Sequence, residues 1–191
     1  HHVCSLDALY DRFWPDSDGD RAKASCEQAL HRLRKLLGPI DGVTQRKGRL
    51  RLATENVWVD LDPWESRLGR ALAMCRPGFV PEMDTERTLF EFPGALLMHD
   101  PAASWWLPVA ERMRSKVVDL ALRLGAYHER HGQPSYARSI YLRGLDLHPD
   151  TPRLYEALIR LGMASGDRAG ALDDLARFER AVPPCNRGEA S

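Results

Sequence analysis

Residues 21–38 read RAKASCEQALHRLRKLLG, and residues 39–53 continue as PIDGVTQ, RKG and RLRLA. The first segment sets Ala22, Cys26, Ala29, Leu30, Leu33, Leu36 and Leu37 at three- and four-residue intervals, the apolar stripe of a helix over residues 21–37. Its open face carries Lys23, Ser25, Gln28, His31, Arg32 and Lys35. Gly38-Pro39 ends it, because proline cannot continue the helical hydrogen-bond ladder. The second segment alternates, with Leu50 and Leu52 on one face and Arg49 and Arg51 on the other. Residues 43–45 and 49–53 therefore form a β-hairpin around Arg46-Lys47-Gly48. Between residues 21 and 51, nine Lys/Arg stand against two acids, Glu27 and Asp41, although the chain as a whole balances 27 basic with 27 acidic residues. A localised positive field of this kind attracts a phosphate backbone.

Working outward, residues 5–13 form a short amphipathic helix with Ser5 as N-cap and Leu6, Leu9, Tyr10 and Phe13 as its apolar stripe. An acidic turn over residues 16–20 follows, with Asp20 placed to cap the basic helix. Val57, Val59 and Leu61 alternate and predict a third strand over residues 56–61. Asp62-Pro63 then opens a helix that turns Trp64, Leu68, Ala71 and Leu72 inward. Residues 77–101 are broken by Pro77, Pro81, Pro93, Gly94 and Pro101, with a helix expected around residues 84–92. Further helices are predicted over residues 105–131, 135–147, 152–164 and 168–181. They contain a repeat: Leu120, Leu124, Gly132, Ala137 and Pro149 recur 34 residues later as Leu154, Leu158, Gly166, Ala171 and Pro183. Paired helices at that period are the tetratricopeptide signature, in which small residues such as Ala137 and Ala171 let helices cross closely.

The 191 residues suffice for two small domains, and 43% apolar with 28% charged residues fits a globular chain. No apolar run is long enough to cross a membrane and no leader is visible, so the expected location is the cytoplasm. Cys4, Cys26, Cys75 and Cys185 lack CxxC spacing and read as reduced thiols. Asp16, Asp18, Asp20 and Glu27 mimic a calcium loop, but Arg21 replaces the glycine that loop needs. His99-Asp100 and the pair His128 and His131 have no Cys or carboxylate cluster beside them; they read as surface residues, not metal ligands. The phosphate-binding GKS/T loop, GxSxG and HExxH are absent from the sequence, which therefore points to binding, with no enzyme activity and no cofactor. Trp58, Trp64, Trp105 and Trp106 are expected to bury large aromatic area between the two halves.

Phe13-Trp14-Pro15, Arg21-Ala22 opening a helix, LHRLRKLLG over residues 30–38, and Val57-Trp58-Val59-Asp60 follow one another in a telling order, and Gly166-Asp167-Arg168-Ala169 completes it. In order and spacing the chain resembles the regulators that join an OmpR-type winged helix to a bacterial transcriptional activator domain, as in SARP-type regulators of antibiotic pathways. The resemblance implies a mainly α protein. A partial winged helix-turn-helix with a small hairpin wing would occupy residues 1–60, an all-α tetratricopeptide-like domain residues 61–185, and a tail residues 186–191. One departure is clear: such winged helices begin with an N-terminal sheet and a first helix, whereas this chain starts at what would be the second helix.

The implied function is transcription regulation on double-stranded DNA. Lys23, Gln28, His31, Arg32 and Lys35 would reach base edges or phosphates in the major groove, and Arg46, Lys47 and Arg49 the backbone or minor groove. The resemblance also implies a homodimer on tandem half-sites, with the acidic loop facing RNA polymerase. Two other readings stay open. One is an interaction or sensory module that does not bind DNA; the other is a regulatory subunit with a small-molecule pocket at Trp105, Trp106 and Tyr127.

Overall fold

The computed structural model describes residues 2–76, 80–94 and 106–182. It is mainly helical, with eight helices and one small antiparallel sheet among the described residues. The chain divides into two units, His1–Leu61 and Asp62–Ser191.

The first unit runs β1 (Val3–Ser5), α1 (Leu6–Phe13), α2 (Gly19–Leu37), β2 (Val43–Arg46) and β3 (Arg49–Leu52). The strands lie in the order β1-β3-β2, with Leu50 opposite Cys4 on one side and Gln45 on the other. Cys26, Leu30 and Val43 form the buried centre, and Leu6, Tyr10, Trp14, Leu37, Leu50 and Leu52 pack around them. Ser5 caps α1 as expected, its Oγ accepting the Ala8 N–H at 3.2 Å.

Four expectations are corrected here. The cap of α2 is Asp18, not Asp20: its Oδ1 accepts the Arg21 N–H at 2.8 Å. Asp20 then lies in the first turn, where a carboxylate suits the positive end of the helix dipole. Residues 56–61 form no strand. Asn56 and Val57 both donate their N–H to the Ala53 carbonyl, which curls the chain into a turn, and β1 takes the edge of β3 that the expected strand would have needed. The buried stripe of α2 is narrower than the spacing predicts. Ala22, Cys26 and Leu30 are buried and Leu37 half-buried, whereas Ala29 is exposed, Leu33 is 39% exposed and Leu36 is 85% exposed. Finally, a strand precedes the first helix, where the sequence reading had none.

The second unit contains α3 (Leu61–Met74), α4 (Met83–Phe90), α5 (Leu107–Arg130), α6 (Pro134–Leu147), α7 (Pro152–Ser165) and α8 (Arg168–Ala181). α3 begins at Leu61, two residues before Pro63, the expected first helical residue, so Asp62 lies in the first turn and is not the cap. From α5 onward each helix packs on the next. The 34-residue repeat is visible in the packing. Leu120 and Leu154, Leu124 and Leu158, and Ala137 and Ala171 are all buried, and Gly132 and Gly166 both turn the chain with positive φ. Pro183 lies outside the described residues, as do Cys185, His99-Asp100, Trp105 and the tail.

Gly125 of α5 faces the fully buried ring of Tyr141 on α6, and a Cβ at residue 125 would enter that ring. Asp174 of α8, with no exposed surface, receives both guanidinium nitrogens of Arg138 from α6 at 2.6 and 3.1 Å. Arg143 of α6 donates to the carbonyls of Leu89, Phe90 and Phe92, closing the end of α4. His128, expected at the surface, is only 6% exposed. Its Nδ1 lies 2.6 Å from Gln133 Oε1 and its Nε2 2.9 Å from Glu86 Oε1, while Tyr136 donates to the other Glu86 oxygen at 2.6 Å. Within this unit Trp64 meets Phe92 edge-on at 5.5 Å, and in the first unit Trp58 is 76% exposed.

Two outcomes are expected from this packing. Gly125→Ala should lower stability by about 1–3 kcal/mol in urea unfolding, because crowding of Tyr141 outweighs the roughly 1 kcal/mol that alanine gains in a helix. Glu65 of α3 accepts from Lys116 at 3.1 Å and Arg112 at 3.0 Å on α5; the Lys116 hydrogen bond chiefly holds its carboxyl below the usual value, against the opposing effect of burial. The charged form therefore favours the folded state, and its contribution is lost as the pH falls below the ordinary glutamate value of 4.5. Urea titrations across that range should show a shallower acid loss in Glu65→Gln than in the parent.

Candidate nucleic-acid interface

α2 spans 19 residues, about 28 Å at 1.5 Å per residue, and a helix of this width fits a major groove. Ala22, Cys26 and Leu30 anchor it to the core at four-residue steps, so Arg21, Gln28, His31, Arg32 and Lys35 fall on the side facing away. Lys23 and Arg34 lie on one flank, with Glu27 between them. Lys23, Gln28, His31, Arg32 and Lys35 are all exposed, as the sequence predicts. Arg34 belongs to the same basic surface. Its charge counts in the basic cluster, but it stands outside the predicted open face, on the flank it shares with Lys23.

The hairpin is held by a two-residue turn. Lys47 has φ 48° and Gly48 φ 72°, the pair of positive values that lets a two-residue loop match the twist of its strands. The Gly48 carbonyl accepts the Leu6 N–H at 2.9 Å, which ties the tip to the start of α1. Arg46 and Arg49 are directly opposed in the register on either side of the turn. Like charges in that position weaken a hairpin. Arg46, Lys47 and Arg49 are all exposed.

Most cations of this surface stand without an acidic partner. Among the described residues, Lys23, Arg32, Arg34, Lys35, Arg46, Lys47 and Arg49 have no carboxylate within 4.0 Å; in the basic cluster only Arg21 (to Asp18, 3.8 Å) and Arg51 (to Glu55, 3.2 Å) do. In the second unit several cations are paired with acids, among them Arg67 with Glu91, Arg114 with Asp150, Arg138 with Asp174 and Arg160 with Glu129, while others, such as Arg70, Arg123, Arg130 and Arg168, likewise have no carboxylate within 4.0 Å among the described residues. The sites the sequence picked out on the helix and on the hairpin thus belong to one small unit and keep their charge unneutralised. No group of three or more metal-binding side chains occurs among the described residues, and none of their helices is long and apolar enough to cross a membrane.

Comparison with family models, with curated proteins and with solved structures finds no match to this chain.

The turn geometry gives a direct expectation. Gly48→Ala forces a side chain into the left-handed region and should destabilise the first unit by about 1 kcal/mol, read from urea titration of the amide NMR signals of β2 and β3.

Proposed function

We propose that the chain is a DNA-binding transcriptional regulator in which α2 enters the major groove and the β2–β3 hairpin acts as the wing. The second unit would then be a tetratricopeptide-like activator domain, serving dimerisation or signal transmission. The observation that carries this reading is the set of exposed cations without acidic partners on α2 and the hairpin, above all the opposed Arg46 and Arg49. A fold gains nothing from setting two arginines against each other; a phosphate between or beside them would turn repulsion into attraction. The order α1, turn, α2, hairpin suits a helix-turn-helix with an appended wing, in line with the resemblance to OmpR-type and SARP-type regulators. Asp16 and Asp18 are exposed on the turn before α2 and Asp20 in its first turn, in keeping with a loop that faces RNA polymerase. A homodimer and a cytoplasmic location follow from the same reading.

A second reading is favoured by a different observation. Leu33 and Leu36 of α2 are exposed beside the basic face, and apolar side chains there suit a protein partner better than DNA. In that case the chain is an interaction module of a signalling protein that leaves DNA alone.

Fluorescence anisotropy with duplex DNA across a salt series separates the two. Under the proposed function, log affinity falls linearly with log salt by about 0.9 per phosphate neutralised, and Arg32→Ala/Lys35→Ala weakens binding and lowers that slope by roughly 2. Absence of binding at low salt by a folded chain would overturn the DNA reading in favour of the interaction module.

A further inference from the structure

Within the second unit, the start of α5, the end of α6 and the residues after α4 surround a cavity of about 390 Å³. Phe92, Leu107, Ala110, Met113 and Leu147 give it apolar walls. Its volume lies in the range of pockets that hold small organic molecules. Two buried polar atoms on residues that line it, Trp106 Nε1 and His148 Nε2, have no hydrogen-bond partner. Native interiors leave few such atoms, and each costs on the order of 1–3 kcal/mol.

The chemistry of the lining narrows the occupant. An indole N–H only donates, so whatever satisfies Trp106 must bring an acceptor. Arg114 and Asp150 at the rim neutralise one another at 3.0 Å, which leaves Glu111 as the unbalanced charge and disfavours an anion. Burial first, and then Arg114, lower the pKa of His148, so its ring is neutral near pH 7 and offers no charge to an anion either. We infer that this cavity is a binding site for a small uncharged molecule with an aromatic or alicyclic body and a carbonyl oxygen that accepts from Trp106 Nε1–H.

The site differs from the pocket suggested by the sequence. Tyr127 is not in its lining, its ring lying 4.0 Å from that of His131, and Trp105 is outside the described residues. The inference does not rest on DNA binding, since every lining residue belongs to the second unit.

The chain has five tryptophans, so the indole N–H signals in a nitrogen–proton NMR spectrum are few enough to follow one by one. The Trp106 signal is assigned by its loss in Trp106→Phe. Titration with 2-acetylnaphthalene should shift it saturably with a Kd below about 1 mM. 2-Ethylnaphthalene, of the same shape without the acceptor, should bind at least about tenfold more weakly, because it leaves the indole donor unpaired. Ala110→Phe fills the cavity and should abolish the ketone shift while the other indole signals stay in place. Should that variant fail to fold, Leu107→Trp, at a half-exposed position on the cavity wall, makes the same test. A Trp106 signal that does not move, equal affinity for the two naphthalenes, or unchanged binding in a folded cavity-filled variant would each overturn the assignment.

Discussion

The second unit depends on how closely its helices can approach one another. Gly125 clears space for the Tyr141 ring, Gly144 for Leu154 and Ala121, and Gly162 stands against Ala171. Each contact replaces side-chain bulk by direct packing, and each recurs near the place where one helix crosses the next. The buried side chains between them, among them Leu120, Leu124, Ile140 and Leu158, are fully enclosed only because those crossings are tight. Once the backbones are this near, polar groups caught between helices must find partners locally. Asp174 does so through Arg138, and Tyr141 donates its hydroxyl to Glu129, which also receives Arg160. Desolvation and the Glu129 carboxylate both push the Tyr141 hydroxyl pKa upward, so it remains a donor across the ordinary pH range.

The first unit is built on a different principle. Its core is small, and the exposed charge on α2 and the hairpin is mostly basic. α1 and the sheet hold α2 by only a few buried residues, and a broad face of the helix is left to solvent. The unit holds a long basic helix and a rigid two-residue turn within one small body, with the turn bonded back to α1. That arrangement presents cations on fixed elements, which suits recognition of a regular polyanion better than a mobile basic tail would.

The helices were the most legible part of the sequence. The ends of α5 to α8 fall within a few residues of the 3.6-residue periodicity, because long amphipathic segments with Pro and Gly at their borders leave little choice. Short elements were not legible in the same way. Val3–Ser5 is three residues long, below what alternation can reveal, yet it claims the strand edge for which Val57 and Val59 looked the better candidates. Leu33 and Leu36 carry the right spacing for the core, but spacing says nothing about whether a neighbour is present to cover them. Of the basic residues, exposure could be read from the helical wheel; the absence of acidic neighbours and the face-to-face placement of Arg46 and Arg49 could not, since both depend on strand register. The orphaned nitrogens of Trp106 and His148 were equally invisible, because they arise where α5 meets the residues after α6.

The opposed arginines of the hairpin have one more consequence. Repulsion between Arg46 and Arg49 is exposed to solvent, so dissolved ions weaken it. Salt therefore acts on this unit in two opposite senses. It relaxes the empty hairpin and favours its closed register, while it competes with any polyanion for the same cations. The tip is thus best ordered on its own in the very solutions where it would hold phosphate least well, and in dilute buffer it carries an electrostatic tension that a bound anion would relieve.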